Sequence, residues 1–347
     1  MALPPSDPPP PPASTETRGA VTIHQVAALA GVSLMTVSRA LNEPHRVAGP
    51  TLERVRAAIH RTGYVPNLAA GGLRSLKSRL VVALIPTTTG QLFAGMIGAL
   101  SEALRERGIQ LMIGESGYGA HREDDLLRAA IGRRPEGIFL TGVMHSEEGR
   151  RALQSCGIPI VETWDETEAP LDMLVGVSQV QLGSEVCRYL HGKGHRHLAL
   201  ISGDDPRAAR RREGFLQTAA MLGLPPPVTH MLTAPTTHAQ GRQAIDSLLR
   251  QAPPRIDAVF CSSDMLALGV LTQCRVMGVA VPGDLAVVGF GDLDFASSVV
   301  PALTTVRIDG DAIGRIAAAM LATRAEGLPV AKRRVEVGFT VVSRETA

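Results

Sequence analysis

The chain has 347 residues, 45% of them hydrophobic but only 3% aromatic, so it can bury a large core made of aliphatic side chains rather than rings. Net charge is only +2, yet residues 21–80 hold eight basic side chains against two acids, which makes a basic head on a mildly acidic remainder and suits a polyanionic partner for the head. Four cysteines without CxxC spacing (Cys156, Cys187, Cys261, Cys274), no export leader and no apolar run of bilayer length argue against a disulfide scaffold, a metal ribbon or a membrane protein, and for a cytoplasmic chain.

In chain order, residues 1–20 include the run Pro8–Pro12 and read as a disordered tail. Residues 21–67 read as a helical DNA-binding domain. Thr22 is placed to cap a first helix through Val26, Leu29 and Ala30, with its hydroxyl accepting a backbone N–H. Gly31-Val32-Ser33 makes a tight turn, and Ser33 caps a second helix from Leu34 to Leu41. A third helix enters at Pro50 or Thr51 and stops before Gly63. Two short helices across a Gly-containing turn have the helix-turn-helix layout. Val37, Ala40 and Leu41 face inward, leaving Leu34, Met35, Thr36, Ser38 and Arg39 at the exposed start of the second helix, the end that meets base edges in a major groove.

Residues 68–79 read as a hinge, and from residue 80 the pattern changes. Short β-like runs at Leu80–Ile85, Leu111–Gly114, Gly137–Thr141, Pro159–Glu162, Leu198–Ser202, Ala258–Ser262 and Leu285–Phe290 alternate with helical segments. That alternation predicts doubly wound parallel sheets, and a body spanning 80–347 is more comfortably two lobes with a cleft than one sheet. Ligands of open α/β sheets bind beyond the carboxyl ends of strands. This picks out Thr87, Thr88, Thr89, Gln91 and Phe93 after the first strand, and Glu115, Ser116, Thr141, Glu162, Asp165, Ser263, Asp264 and Asp292 after later ones. Arg207, Arg210, Arg211 and Arg212 open the helix after Ser202-Gly203. Hydroxyls, carboxylates and arginines together suit a small polar metabolite held by many hydrogen bonds. No GxSxG, P-loop, GxGxxG or metal-spaced His/Cys cluster is present, so neither catalysis nor a cofactor is expected; a metabolite-processing α/β enzyme is the remote alternative. An exported binding protein would share the body but not the basic head.

The run Val21-Thr22-Ile23 through Val26-Ala27, Ala30-Gly31-Val32-Ser33, Thr36-Val37-Ser38-Arg39 and Leu41-Asn42 closely resembles the head of the lactose-repressor family, and Gly63-Tyr64-Val65-Pro66-Asn67 resembles its junction with the hinge. The resemblance continues through Gly194–Ala199, Asp257–Asp264, Val281–Phe290 and Pro301–Val306. It implies a helix-turn-helix head, a hinge and a sensor of the periplasmic-sugar-binding-protein fold with three crossovers between lobes, acting as a homodimer on a double-stranded, near-palindromic operator. By matched position, Leu34 and Met35 carry base discrimination, through apolar contact with thymine methyls. Thr36, Ser38, Arg39 and Asn42 combine base and phosphate contacts, Thr22 and Arg46 complete the DNA-facing set, and Tyr64 and Asn67 anchor the hinge side. Leu73 matches a leucine that wedges into the minor groove, followed by Arg74. The chain departs from the family at Gly71-Gly72, which costs a hinge helix on the order of 1 kcal/mol per glycine.

In the sensor, position matching favours Arg211, three residues before Gly214, as a bidentate partner for a carboxylate or vicinal diol, and Asp264 as a ligand carboxylate, although Asp264 equally suits a helix cap. The family often carries an aspartate directly after the Gly-Phe that ends the later strand. Here Gly291 stands there and Asp292 one residue on, which argues against a plain pyranose. Met35–Arg39, Gly117-Tyr118, Leu140-Thr141, Val161-Glu162 and Gly338-Phe339-Thr340 most resemble the gluconate-operon repressors of the family. The implied ligand is a sugar acid acting as inducer; a co-repressor of other chemistry is the alternative.

Overall fold

Helix α1 (Ile23–Ala30) starts where the Gln25 side chain accepts the Thr22 backbone N–H at 2.8 Å, so the cap is closed by the glutamine reaching back rather than by the threonine hydroxyl alone. The computed structural model describes residues 21–65, 78–88, 91–117, 120–143, 145–251 and 256–347, and the chain divides into two units at residue 76. Gly31, with φ +64, takes the left-handed conformation that ends α1 and aims the chain into α2 (Leu34–Asn42). Ser33 caps α2 by accepting the Thr36 N–H at 3.2 Å. A third helix, α3 (Gly49–Thr62), stops at left-handed Gly63. One side of each helix meets in a small core in which Val26, Val37 and Val55 are fully buried, flanked by alanines 27, 30, 40 and 58. Each such valine is worth roughly 1.5–3 kcal/mol.

The body starts with β1 (Leu80–Ile85), whose LVVALI run is buried on both faces as a central parallel strand must be. Around it form β2 (Gln110–Glu115), β3 (Gly137–Thr141), β4 (Ile160–Thr163), β5 (Met173–Gly176) and the late strand β11 (Arg334–Glu336), in the order β11-β5-β4-β3-β1-β2 and all parallel. Helices α4 (Ala94–Arg105), α5 (Ala120–Gly132) and α6 (Glu147–Ser155) belong to this first lobe. The second lobe is a four-stranded parallel sheet of β6 (Leu198–Gly203), β7 (Val228–Leu232), β8 (Ala258–Cys261) and β9 (Ala286–Val288), ordered β7-β6-β8-β9. It is covered by α7 (Gln179–Gly192), α8 (Pro206–Met221), α9 (His238–Arg250) and α10 (Asp264–Met277).

The chain passes between the lobes three times. It leaves β5 for α7, returns from β9 through β10 (Thr305–Ile308) to α11 (Gly310–Ala325), which packs on α4, and leaves β11 for β12 (Phe339–Val342). Strands β10 and β12 pair antiparallel at the junction. The C-terminus finishes on the second lobe, where Val287 donates to the Thr346 carbonyl at 2.8 Å.

The runs read at Leu80–Ile85 and Gly137–Thr141 form strands with those bounds, while the last, read as Leu285–Phe290, narrows to Ala286–Val288 because Gly289 and Phe290 already turn towards the crossover. Strands β5, β7, β10, β11 and β12 were not expected. They are short, β11 is the polar triplet Arg-Val-Glu, and β7 is an edge strand half open to solvent.

Candidate functional site

In the head, the inward side of α2 holds Val37 and Ala40 buried, with Leu41 packed beside them. The opposite side leaves Leu34 39% and Met35 54% exposed, with Arg39 and Asn42 also exposed and Thr36 and Ser38 half-buried. Two apolar side chains held in water at the tip of a helix cost free energy unless a partner covers them. Asn42 donates to the Ser38 carbonyl at 2.9 Å, and Arg46 pairs with Glu43 at 2.9 Å on the surface. Tyr64 packs against the small core, with Thr22 exposed at the entry to α1. The expected contacts of Asn67, Leu73 and Arg74, and the glycines Gly71 and Gly72, lie outside the described residues.

In the body, a cavity of about 520 Å³ opens between the lobes. The first lobe contributes Thr87, Gln91, Leu92, Phe93 and Trp164, the first crossover Gln179, and the second lobe Asp205, Arg207, Arg211, Thr236, Thr237, Ser262, Ser263, Phe290 and neighbouring apolar side chains. Three helices of the second lobe begin at this wall, their caps being Asp205 on α8, Thr237 on α9 and Ser263 on α10. Each cap accepts a backbone N–H of its own first turn, and the three dipoles add positive potential where a ligand would sit. The charged wall residues are Asp205, Arg207 and Arg211, a net single positive charge. Aromatic walls face them: Phe93 meets Trp164 edge-on at 5.2 Å, and the Arg211 guanidinium lies over the Phe290 ring at 4.1 Å. Trp164 adopts φ +67, a conformation uncommon for a bulky residue and often found where a site holds the backbone. Its carbonyl accepts from Gln179 at 2.6 Å, and Gln179 in turn accepts from Arg211 Nη1 at 2.6 Å.

Of the nine expected ligand residues, Phe93, Arg211 and Ser263 stand in this wall. Ser263 caps α10 and lies 3.1 Å from the Thr236 hydroxyl. The other six have different surroundings. Thr88 bonds Glu115 through both its N–H and its hydroxyl, which holds the Glu115 carboxyl below its ordinary range. Thr141 sits at the end of β3, its carbonyl approached by Arg207 Nη1 at 3.4 Å. Glu162 is fully buried on the side of β4 away from the cavity, because residues 160 and 162 share the face covered by α5 and α6. There it accepts the Leu171 N–H at 2.7 Å and faces His145. Asp165 forms an ion pair across the lobes with Arg210 at 2.8 Å; burial pushes its pKa up against that pairing.

Asp264 is fully buried beneath Gly289 and accepts from Thr305 Oγ1 at 2.6 Å and from Leu293 N at 2.8 Å. Both oxygens thus serve the junction, and burial lifts its pKa to about 6. Asp292, at φ +48 after Gly291, turns its carboxylate to Arg344 at 2.7 Å and to Arg307, away from the wall. Sequence reasoning did not single out Trp164, Gln179, Phe290 or Thr236. Trp164 directly follows β4, so the strand-end rule reaches it once an aromatic wall is sought as well as polar partners.

No helix among the described residues is long and apolar enough to cross a membrane. Residues 22–67 match the family described as bacterial regulatory proteins, lacI family, and residues 187–347 match a periplasmic binding protein-like domain. The HTH-type transcriptional regulator GntR of Pseudomonas aeruginosa is 36% identical over 335 residues, 96% of this chain and 97% of that protein. The regulator of the same name from Escherichia coli is 30% identical over 92% of this chain and 96% of its own length. Among solved structures, a LacI-family transcriptional regulator from Silicibacter pomeroyi superposes with a TM-score of 0.89 at 30% identity, over 94% of this chain and 99% of that one.

Proposed function

Because the chain belongs to the lactose-repressor family of bacterial DNA-binding regulators, we propose that it is a repressor that binds a near-palindromic operator as a homodimer and is released by a sugar acid of the gluconate type. The observation that carries the ligand class is the inter-lobe cavity: one net positive charge, three helix N-termini and hydroxyl partners beside aromatic walls. A six-carbon acid presents a carboxylate to the first two and hydroxyls and C–H faces to the rest. The two GntR relatives, each matching nearly the whole chain, support the same reading. For DNA, the exposed pair Leu34 and Met35 reads thymine methyls, and Arg39, Thr36, Ser38 and Asn42 add polar contacts. Two heads related by twofold symmetry double the few base pairs that one helix reads.

Release follows from the same cavity. Its two walls belong to different lobes, and Arg210–Asp165 and Arg207–Thr141 already join them. A ligand touching both walls changes which inter-lobe arrangement is favoured, and its effect on the heads equals its difference in affinity between the two arrangements. The test titrates gluconate and neutral glucose against a repressor–operator complex, with the parent and Arg211→Ala. Release by gluconate alone, lost in the variant, supports the reading. Tighter operator binding on adding gluconate overturns the inducer role, and an unaltered response in Arg211→Ala removes that residue from the site.

A further inference from the structure

Two arginines line the cavity, and the protein treats them differently. Arg211 is only 5% exposed. Its Nη1 donates to Gln179 at 2.6 Å, its Nη2 points at the Ser262 carbonyl at 3.5 Å, and its plane rests on Phe290. Gln179 is itself tied to the Trp164 backbone, so Arg211 belongs to a chain of contacts that shapes the wall. Arg207 stands one turn earlier on α8, next to Pro206 in the first turn, where the helix dipole is most favourable to an anion. It is half-buried, and among the described residues its one hydrogen bond runs at 3.4 Å to the Thr141 carbonyl. Its guanidinium lies 5.6 Å from the centre of the Phe93 ring, so a flat aromatic face positions the fork without consuming its N–H groups. Most of its five donors therefore remain for a ligand in the cavity.

From this contrast we infer that Arg207 is the residue that distinguishes a carboxylate from a neutral group at the end of the ligand, while Arg211 builds the wall that both kinds of ligand touch. The inference rests on the sugar-acid reading and refines it. A carboxylate takes two parallel N–H bonds from the fork and carries a full opposite charge, whereas a hydroxymethyl oxygen offers a single uncharged acceptor at the same place. Asp205, the acid in the same wall, adds to the selection: it is already engaged with the Ala208 N–H and repels a second carboxylate from its side of the cavity, steering it towards Arg207.

The ligands for the test are D-gluconate and D-glucitol, which differ only in carrying a carboxylate or a hydroxymethyl group at C1. Affinities are measured by titration calorimetry on the full-length chain, for the parent, Arg207→Gln, Arg207→Met and Arg211→Gln. The parent should prefer gluconate by at least tenfold, a difference of about 1.4 kcal/mol. Both Arg207 variants should bring the ratio of the two affinities close to one, whereas Arg211→Gln should weaken both ligands and leave a clear preference for the acid. Arg207→Met keeps a side chain of similar length on the Phe93 ring, so the measurement survives if the glutamine variant folds poorly. An acid preference undiminished in whichever Arg207 variant melts like the parent overturns the inference, as does its disappearance in Arg211→Gln alone. A parent that binds neither compound, or prefers glucitol, refutes the sugar-acid reading itself, a result already visible before any variant is made.

Discussion

Raising the pH is expected to withdraw a buried cation from the first lobe. His145 has a side chain only 3% exposed, with Nδ1 2.5 Å from Glu123 Oε1 and Nε2 3.3 Å from Glu162 Oε1. Burial by itself pushes the imidazole pKa down, but the two carboxylates push it up by more, to about 9 from the ordinary 6.5. The other acid nearby, Asp124, accepts from Ser146 at 2.7 Å and holds the same loop against α5. Because the folded value lies above the unfolded one, the stabilisation is complete below about pH 6.5 and is lost as the pH rises towards and through 9. A rise from 6.5 to about 9 is worth at most roughly 3 kcal/mol, or about 6 °C of melting temperature for a body of this size. The assay is thermal or urea denaturation of the parent and His145→Gln at pH 6, 7.5 and 9.5. The stability difference between them should shrink by up to about 3 kcal/mol across that range. A difference that stays constant from pH 6 to 9.5 would refute the charged-histidine argument.

Met35→Gln should change the base preferred at one half-site position in a randomised-operator selection, whereas Arg39→Ala should weaken every site and flatten the salt dependence; an unchanged profile for Met35→Gln would mean that α2 is not the reading helix. Asp264→Ala should destabilise the body by about 2–4 kcal/mol, because it strands the Thr305 hydroxyl and the Leu293 N–H, while gluconate affinity at a temperature where the variant is folded changes less than threefold; a large affinity loss with normal stability would restore Asp264 to the ligand site. Gly214→Ala would bring a methyl group into the Val180 carbonyl oxygen where α7 and α8 cross, so the helices must part, at a cost of about 1–3 kcal/mol or more, and Arg211 on the same helix shifts with them. Denaturation together with ligand titration checks this, and a variant with parental stability and affinity would show that the crossing can yield.

The head was legible in the residues themselves because its determinants are local. The Ser33 cap, the left-handed Gly31 and the helical spacing of Val26 and Ala30 on α1 and of Val37 and Ala40 on α2 act within a few residues of one another, and they also dictate which side of α2 is left exposed. The alternation of apolar runs and helices likewise announced the parallel sheets, since a strand buried on both faces must read as an unbroken aliphatic run. The inter-lobe cavity obeyed no such local rule. Strand ends mark where a site lies, but the pleat and the backbone beyond it decide which side chains face it: the pleat turns Glu162 into the layer beneath α5 and α6, and the left-handed backbone just past the strand end brings Trp164 to the cavity instead of that same face. Asp264 and Asp292 looked like ligand groups because they follow strand ends. Only the tertiary structure shows that Thr305, Leu293, Arg307 and Arg344, up to 52 residues away in sequence, have already claimed their oxygens. The same holds for the two arginines. They share a helix and a composition, yet one is fixed by Gln179 and Phe290 and the other rests on Phe93, because the first lobe brings Phe93 across the cleft, the crossover brings Gln179, and the end of β9 brings Phe290 from a distant part of the chain.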